Sequence, residues 1–262
     1  MERLRDFWVR AALALSLALP FYFFAAALGA RLELFDWRFA SETMVRAWGR
    51  TYIYAALAIG LIGLALALIT SPARGRRIAL FASFVPAVAL AYALYSDRQA
   101  AAAAPIHDLT TDTLDPPQYT DTVKRARARI GHSNGLDLAM EKTPDGRAAT
   151  DVQHQAYPDI LSIPTGLAPS QAFTMGLADA REQHWTIRVA DPGAGNIEAT
   201  SETLWFGFVD DIAVRVRPDG AGARIDMRSS SRVRVSDDGS NAARMRAYLS
   251  VLRQRIEEAE SH

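Results

Sequence analysis

The chain has 262 residues, half of them apolar, with 29 basic and 29 acidic side chains and no cysteine. Absence of cysteine excludes disulfides, thiolate catalysis and cysteine-ligated metal centres. The neutral total hides an asymmetry. Residues 1–96 carry ten Arg against five acidic groups, and the rest carries nineteen basic against twenty-four acidic residues. The larger part would on average repel a phosphate backbone, so no nucleic-acid partner is expected. Only Lys124 and Lys142 are lysines, a skew that points to genome composition and lowers the weight of any single Arg.

Three uncharged apolar stretches, about 11–30, 52–70 and 78–96, are each long enough to cross roughly 30 Å of hydrocarbon as a helix. Residues 1–96 therefore read as a three-helix transmembrane anchor. Arg3, Arg5 and Arg10 ahead of the first run would also suit a cleavable signal peptide, but the two further spans favour an anchor. No ionisable residue interrupts the spans, so nothing suggests a transporter. Arg in the N-terminal segment, with Arg74, Arg76 and Arg77 between the second and third spans, predicts a cytoplasmic N-terminus and a C-terminal domain on the far side. In a bacterium that is the inner membrane with a periplasmic domain. The loop 31–51 mixes Trp37, Phe39 and Trp48 with charges, as suits an interfacial connector.

Residues 97–118, with Ala100–Ala104 and Pro116-Pro117, read as a linker with little to build a core. A soluble α+β domain is expected over 119–262. Its elements begin with a short polar helix over 119–130, a turn-rich stretch over 131–151 and a strand over 157–163. A helix follows over 170–181. Strands are predicted over 185–190, 197–206, 208–217 and 223–235, and a last helix from Ser240 with Asp237-Asp238-Gly239 as its cap. The fold class is an antiparallel sheet with helices on one face.

Strand parity divides the densest cluster in the chain, Arg228 to Arg244. Ile225, Met227, Ser229, Ser231, Val233 and Val235 share one face and belong under the helices, where the two serines need partners such as Asp210. Arg224, Asp226, Arg228, Ser230, Arg232 and Arg234 share the other, beside Asp211, Arg215 and Arg217, and this face is expected to be solvated.

The run Phe208-Val209-Asp210-Asp211, then Arg228-Ser229-Ser230-Ser231-Arg232, then Ser236-Asp237-Asp238-Gly239-Ser240-Asn241 with Arg244, resembles the family of domain of unknown function 1499. The likeness covers about residues 105–258. Its members often carry the domain behind membrane spans or an export signal, so the resemblance implies location and domain extent, not chemistry. Many have an Asn-Cys pair near the domain start. The nearest equivalent here is Asn134-Gly135, so no cysteine role carries over.

Three uses of the outer face compete. Cross-strand ion pairing on a solvated sheet is one, each pair contributing roughly 0.2–1 kcal/mol. An anion site is the second, with Arg228, Arg232 and Arg244 beside Asp211 holding a phosphate, carboxylate or lipid headgroup, or meeting an envelope protein. The third is an enzyme, hydrolytic in kind, using Asp210, Asp211 or Asp237, although adjacent Asp residues on a strand face opposite ways. Asp210, Ser229, Ser231, Asp237, Gly239 and Asn241 are assigned to architecture. His107, His132, His154, His184 and His262 have no metal-ligand spacing, no G-x-S-x-G surrounds any Ser, and no cofactor or metal is indicated. Trp185 and Trp205 share the apolar parity of their strands and read as core. The reading that follows is a membrane-anchored, non-catalytic envelope domain, the enzyme being the alternative.

Overall fold

The computed structural model describes residues 1–71, 75–130, 132–234, 236 and 238–261. Arg74, Gly131, Val235, Asp237 and His262, which figure in the sequence reading, lie outside the described residues. The chain divides into two compact units: Met1–Arg98 with Leu204–Gly207, and Gln99–Thr203 with Phe208–His262.

The first unit is built on three helices, α1 (Glu2–Arg31), α2 (Arg50–Ile69) and α3 (Arg76–Ala102). A π-helical segment, Phe39–Gly49, runs straight into α2. Each helix is long and apolar enough to cross a membrane. Small residues line the seams, because close backbone approach replaces the hydrophobic driving force that lipid removes. Ala12, Ala56, Ala67, Ala79 and Ala82 are buried, and a Cβ on Gly60 would stand 3.1 Å from Ser83 Cα. Polar groups between helices are satisfied. Ser16 Oγ donates to Ala82 O at 2.5 Å and Tyr52 Oη to Leu15 O at 2.9 Å. Within this unit Arg31 Nη1 donates to Leu204 O at 2.9 Å, and the Phe24 and Trp205 rings meet edge to face at 6.2 Å.

The second unit is α+β. Its six-stranded antiparallel sheet has the order β1-β6-β5-β4-β3, with β2 also paired to β6. The strands are β1 (Asp108–Thr110), β2 (Ile163–Thr165), β3 (Thr186–Asp191), β4 (Asn196–Glu202), β5 (Val209–Asp219) and β6 (Gly222–Ser231). The helices are α4 (Asp121–Ala128), α5 (Ala149–Ala156), α6 (Pro169–Glu182) and α7 (Ser240–Glu260). Alternation along the strands sends Ile197, Ile212, Val214, Ile225 and Met227 under α6 and α7, where Phe173, Met245, Tyr248, Leu249 and Leu252 complete the main core. Trp185 belongs to it, its ring 5.0 Å from that of Tyr248.

Four expectations need correction. The stretch read as a linker supplies β1 and the core residues Ile106 and Leu109, since a three-residue strand is too short to show a period. The strand expected over 157–163 is confined to Ile163–Thr165, and α5 lies at the edge of the stretch read as turns. Trp205 is not core: β4 stops at Glu202, and Trp205 is 57% exposed in the loop that follows. The strand expected to run to 235 ends at Ser231, so Arg234, placed by parity beside Arg228 and Arg232, instead donates to Ser240 Oγ at 3.0 Å and lies 3.7 Å from Asp210. The segment expected to cap α7 does so, with Gly239 as the N-cap in the left-handed region at φ 82°.

The sheet face opposite α6 and α7 is covered over much of its area, and solvent reaches it at the partly exposed Arg215, Arg217, Arg224 and Arg232. Tyr119 and Val123 pack there on Ala213, with Leu136 against them, and Asp211, Asp226, Arg228 and Ser230 are all buried. Residues ahead of the predicted domain boundary and α4 make this second layer, and they set the environment of the Arg cluster.

Candidate functional site

The covered face holds carboxylates and guanidiniums in shared knots. Arg228 makes a two-pronged pair with Asp108, Nε to Oδ1 at 3.0 Å and Nη2 to Oδ2 at 2.7 Å. Its remaining reach goes to backbone, Nη2 to Leu136 O at 2.7 Å and Nη1 to Pro117 O at 3.3 Å, with the Tyr119 ring 5.2 Å away. Burial works against its charge, but its hydrogen bonds to Asp108 and the charge of that carboxylate outweigh burial and hold the guanidinium above its ordinary pKa. Four of its five N–H groups are thus committed inside the protein. Arg228 is 1% exposed, so burial as well as its partners withdraws it from the surface.

Asp211 sits between two guanidiniums. Arg127 Nη1 reaches Oδ2 at 2.7 Å, and Arg232 supplies Nε to Oδ2 at 2.9 Å and Nη2 to Oδ1 at 2.7 Å. Arg127 continues to Ser230 Oγ at 3.2 Å and Ser231 O at 2.9 Å. Asn134 closes the same end of β6, its Nδ2 donating to Ser231 O at 3.0 Å and Arg234 O at 2.7 Å. Along the sheet Asp226 gathers Arg215 at 2.9 Å, Arg224 at 3.0 Å and Arg217 at 3.2 Å, and accepts from Ser162 Oγ at 2.6 Å. Burial raises the Asp226 pKa, and these donors more than offset it, leaving the carboxyl below its usual range.

The helix side has a separate knot. Asp210 accepts Ser231 Oγ at 2.6 Å and Arg244 Nη2 at 2.6 Å. Arg244 also donates to Ser229 Oγ at 3.0 Å, Ser229 Oγ donates to Asn241 Oδ1 at 2.8 Å, and Asn241 Nδ2 donates to His107 O at 3.0 Å. Here α7 is tied to both β6 and the segment before β1. Parity therefore separates the residues assigned to one anion site: Arg228 and Arg232 lie on the α4 side, and Arg244 on the α7 side. Asp210 and Asp211 are both fully buried and pair with different Arg residues. Among the described residues no three His, Asp or Glu side chains converge as metal ligands do.

Sequence reasoning missed Asp108, Arg127 and Asn134, which lie on segments read as linker, polar helix and turn. Asn134 alone had a signal, the Asn of the motif that the chain resembles. The comparison with family models settles the relationship, because the model for a protein of unknown function, DUF1499, matches residues 108–252. The chain belongs to the DUF1499 family. The matched range begins at Asp108, the first residue of β1, and ends at Leu252 in α7, so the DUF1499 domain takes in the Asp108–Arg228 pair and every carboxylate and guanidinium of the three knots. No curated protein matches the chain.

Proposed function

We propose that this DUF1499 protein is a non-catalytic, membrane-anchored envelope domain that binds an anionic group, phosphate or carboxylate, at Arg232. The observation that carries the reading is the Arg127–Asp211–Arg232 triad, two guanidiniums on one carboxylate with a positive charge left over. Arg127 and Asp211 are buried. Arg232 keeps 14% of its side chain exposed, and its Nη1 has no hydrogen bond among the described residues. A guanidinium oriented by a buried carboxylate, with a donor to spare, suits an anion's oxygens. The carboxylates offered for acid–base work, Asp210 and Asp211, are buried and held by Arg, which favours binding over catalysis.

The reading places the chain in a bacterial inner membrane with α1 entering from the cytoplasm and the sheet domain in the periplasm. Arg3, Arg5 and Arg10 with Arg76 and Arg77 support this orientation. Calorimetric titration of the detergent-solubilised full chain with inorganic phosphate and with glycerol phosphate tests the site. Saturable heat that Arg232→Gln removes and Arg244→Gln leaves is expected. No heat from folded protein, or heat indifferent to Arg232→Gln, overturns the site. A C-terminal reporter active only in the cytoplasm would, if it shone, overturn the orientation.

A further inference from the structure

The three hairpin tips on the β3–β6 side of the sheet differ in chemistry. β3 to β4 turns through Pro192-Gly193-Ala194-Gly195 and β5 to β6 through Gly220-Ala221, whereas β4 to β5 carries Leu204-Trp205-Phe206-Gly207. This tip is preformed. Thr203 N donates to Phe208 O at 2.8 Å, Phe208 N donates to Thr203 Oγ1 at 2.9 Å, and Gly207 takes the left-handed region at φ 68°. The closure holds Leu204 73% and Trp205 57% exposed. Water is a poor surrounding for such a pair, since apolar surface gains free energy on leaving water.

We infer that the Leu204–Gly207 tip is a lipid anchor, seated in the interfacial layer of the bilayer that α1, α2 and α3 span. Three spans put the end of α1 and everything after α3 on one side of a membrane, so the tip and the end of α1 face the same interface. The tip belongs to the helical unit by its contacts. Arg31, the last residue of α1, holds Leu204 O, and Trp205 meets Phe24. Phe24 lies seven residues inward from Arg31, about 10 Å along the helix at the standard rise. That is the depth at which indoles concentrate, an apolar ring inside and an N–H toward the headgroups. Trp205 remains more than half exposed after meeting Phe24, so the larger part of the ring is available to acyl chains around α1. The inference does not rest on the Arg232 site.

The chain has no cysteine, so Trp205→Cys introduces a single thiol for a nitroxide label. The test uses the full chain in nanodiscs of phosphatidylethanolamine and phosphatidylglycerol, with collision rates measured against oxygen, which enters lipid, and a nickel chelate, which does not. Met140→Cys, at a residue of the other unit that is 76% exposed, is the reference. The label at 205 is expected to collide with oxygen and to meet the chelate several-fold less often than the label at 140. Leu204→Cys, tested separately, should give the same profile, which guards against a tip disturbed by loss of the indole. Chelate access at 204 and 205 equal to that at 140 overturns the inference in favour of a solvated tip. Shielding from both reagents overturns it in favour of a protein contact.

Discussion

Arg228 and Asp108 form a fork-to-fork ion pair between β6 and a strand 120 residues earlier in the chain, with both side chains buried. Desolvating two charges is expensive, and the pair offsets that cost only while both partners and the backbone acceptors remain. Arg228→Gln or Asp108→Asn should lower the stability of the sheet domain by about 3–5 kcal/mol, the range for an orphaned buried charge. Replacing both by apolar residues of similar volume should recover much of the loss. Urea unfolding of the solubilised chain, followed by near-ultraviolet circular dichroism, gives the ranking. Equal stability of the Arg228→Gln variant and the parent would refute it.

Acid should unfold the domain through its paired carboxylates. Asp226 lies below its usual range because Ser162, Arg215 and Arg224 outweigh burial, and Asp115 does so through its hydrogen bond from Arg217. For a carboxyl whose folded pKa is depressed, the stabilising contribution is present above the unfolded value, near 3.9, and is lost as pH falls through the folded one. Stability should therefore change little on these groups' account above about pH 5 and decline below about pH 4. Asp226→Asn should flatten that decline while lowering stability at neutral pH.

Asp179 should behave in the opposite sense. Burial of this α6 residue raises its pKa, Arg255 pulls it down less strongly, and Glu182 adds to the rise. A raised carboxyl opposes folding at neutral pH and is relieved as pH falls through the folded value. Asp179→Asn should leave the domain as stable as the parent or more so at pH 7. A loss comparable to that of Asp108→Asn would contradict this.

Two glycines mark where backbones touch. A Cβ on Gly195 would stand 1.9 Å from Val216 O, at φ 65°, and one on Gly222 would stand 2.0 Å from Thr165 O. Gly220 also has positive φ, 57°, but open space around it. Gly220→Ala should cost about 1–2 kcal/mol from the left-handed backbone alone. Gly195→Ala and Gly222→Ala should cost more, because β4 or β2 must also shift. Thermal unfolding of the three variants in one detergent orders them.

How legible the site was depended on sequence distance. Alternation over β6 separated Ser229 and Ser231 from Arg228 and Arg232 correctly, because each strand residue's face follows from its neighbours. Nothing in that alternation names what covers a face. Asp108, Arg127 and Asn134 sit on a three-residue strand, a polar helix and a loop, elements too short or too polar to carry a periodic signal. The Trp205 error has the same origin, since parity was extended past the residue where pairing with β5 ends at Glu202–Val209.

By itself the sequence determined what local physics controls: three apolar stretches long enough to span a bilayer, an α+β domain after them, and the side of β6 on which each residue lies. Length, hydropathy and period are properties of contiguous residues. Tertiary structure alone decided that the Arg-rich face is largely covered, that Arg228 is committed to Asp108, that Arg127 and Arg232 share Asp211, and that Leu204 and Trp205 stand exposed. Each of these depends on which distant segment arrives at a face and brings a carboxylate or an aromatic ring with it.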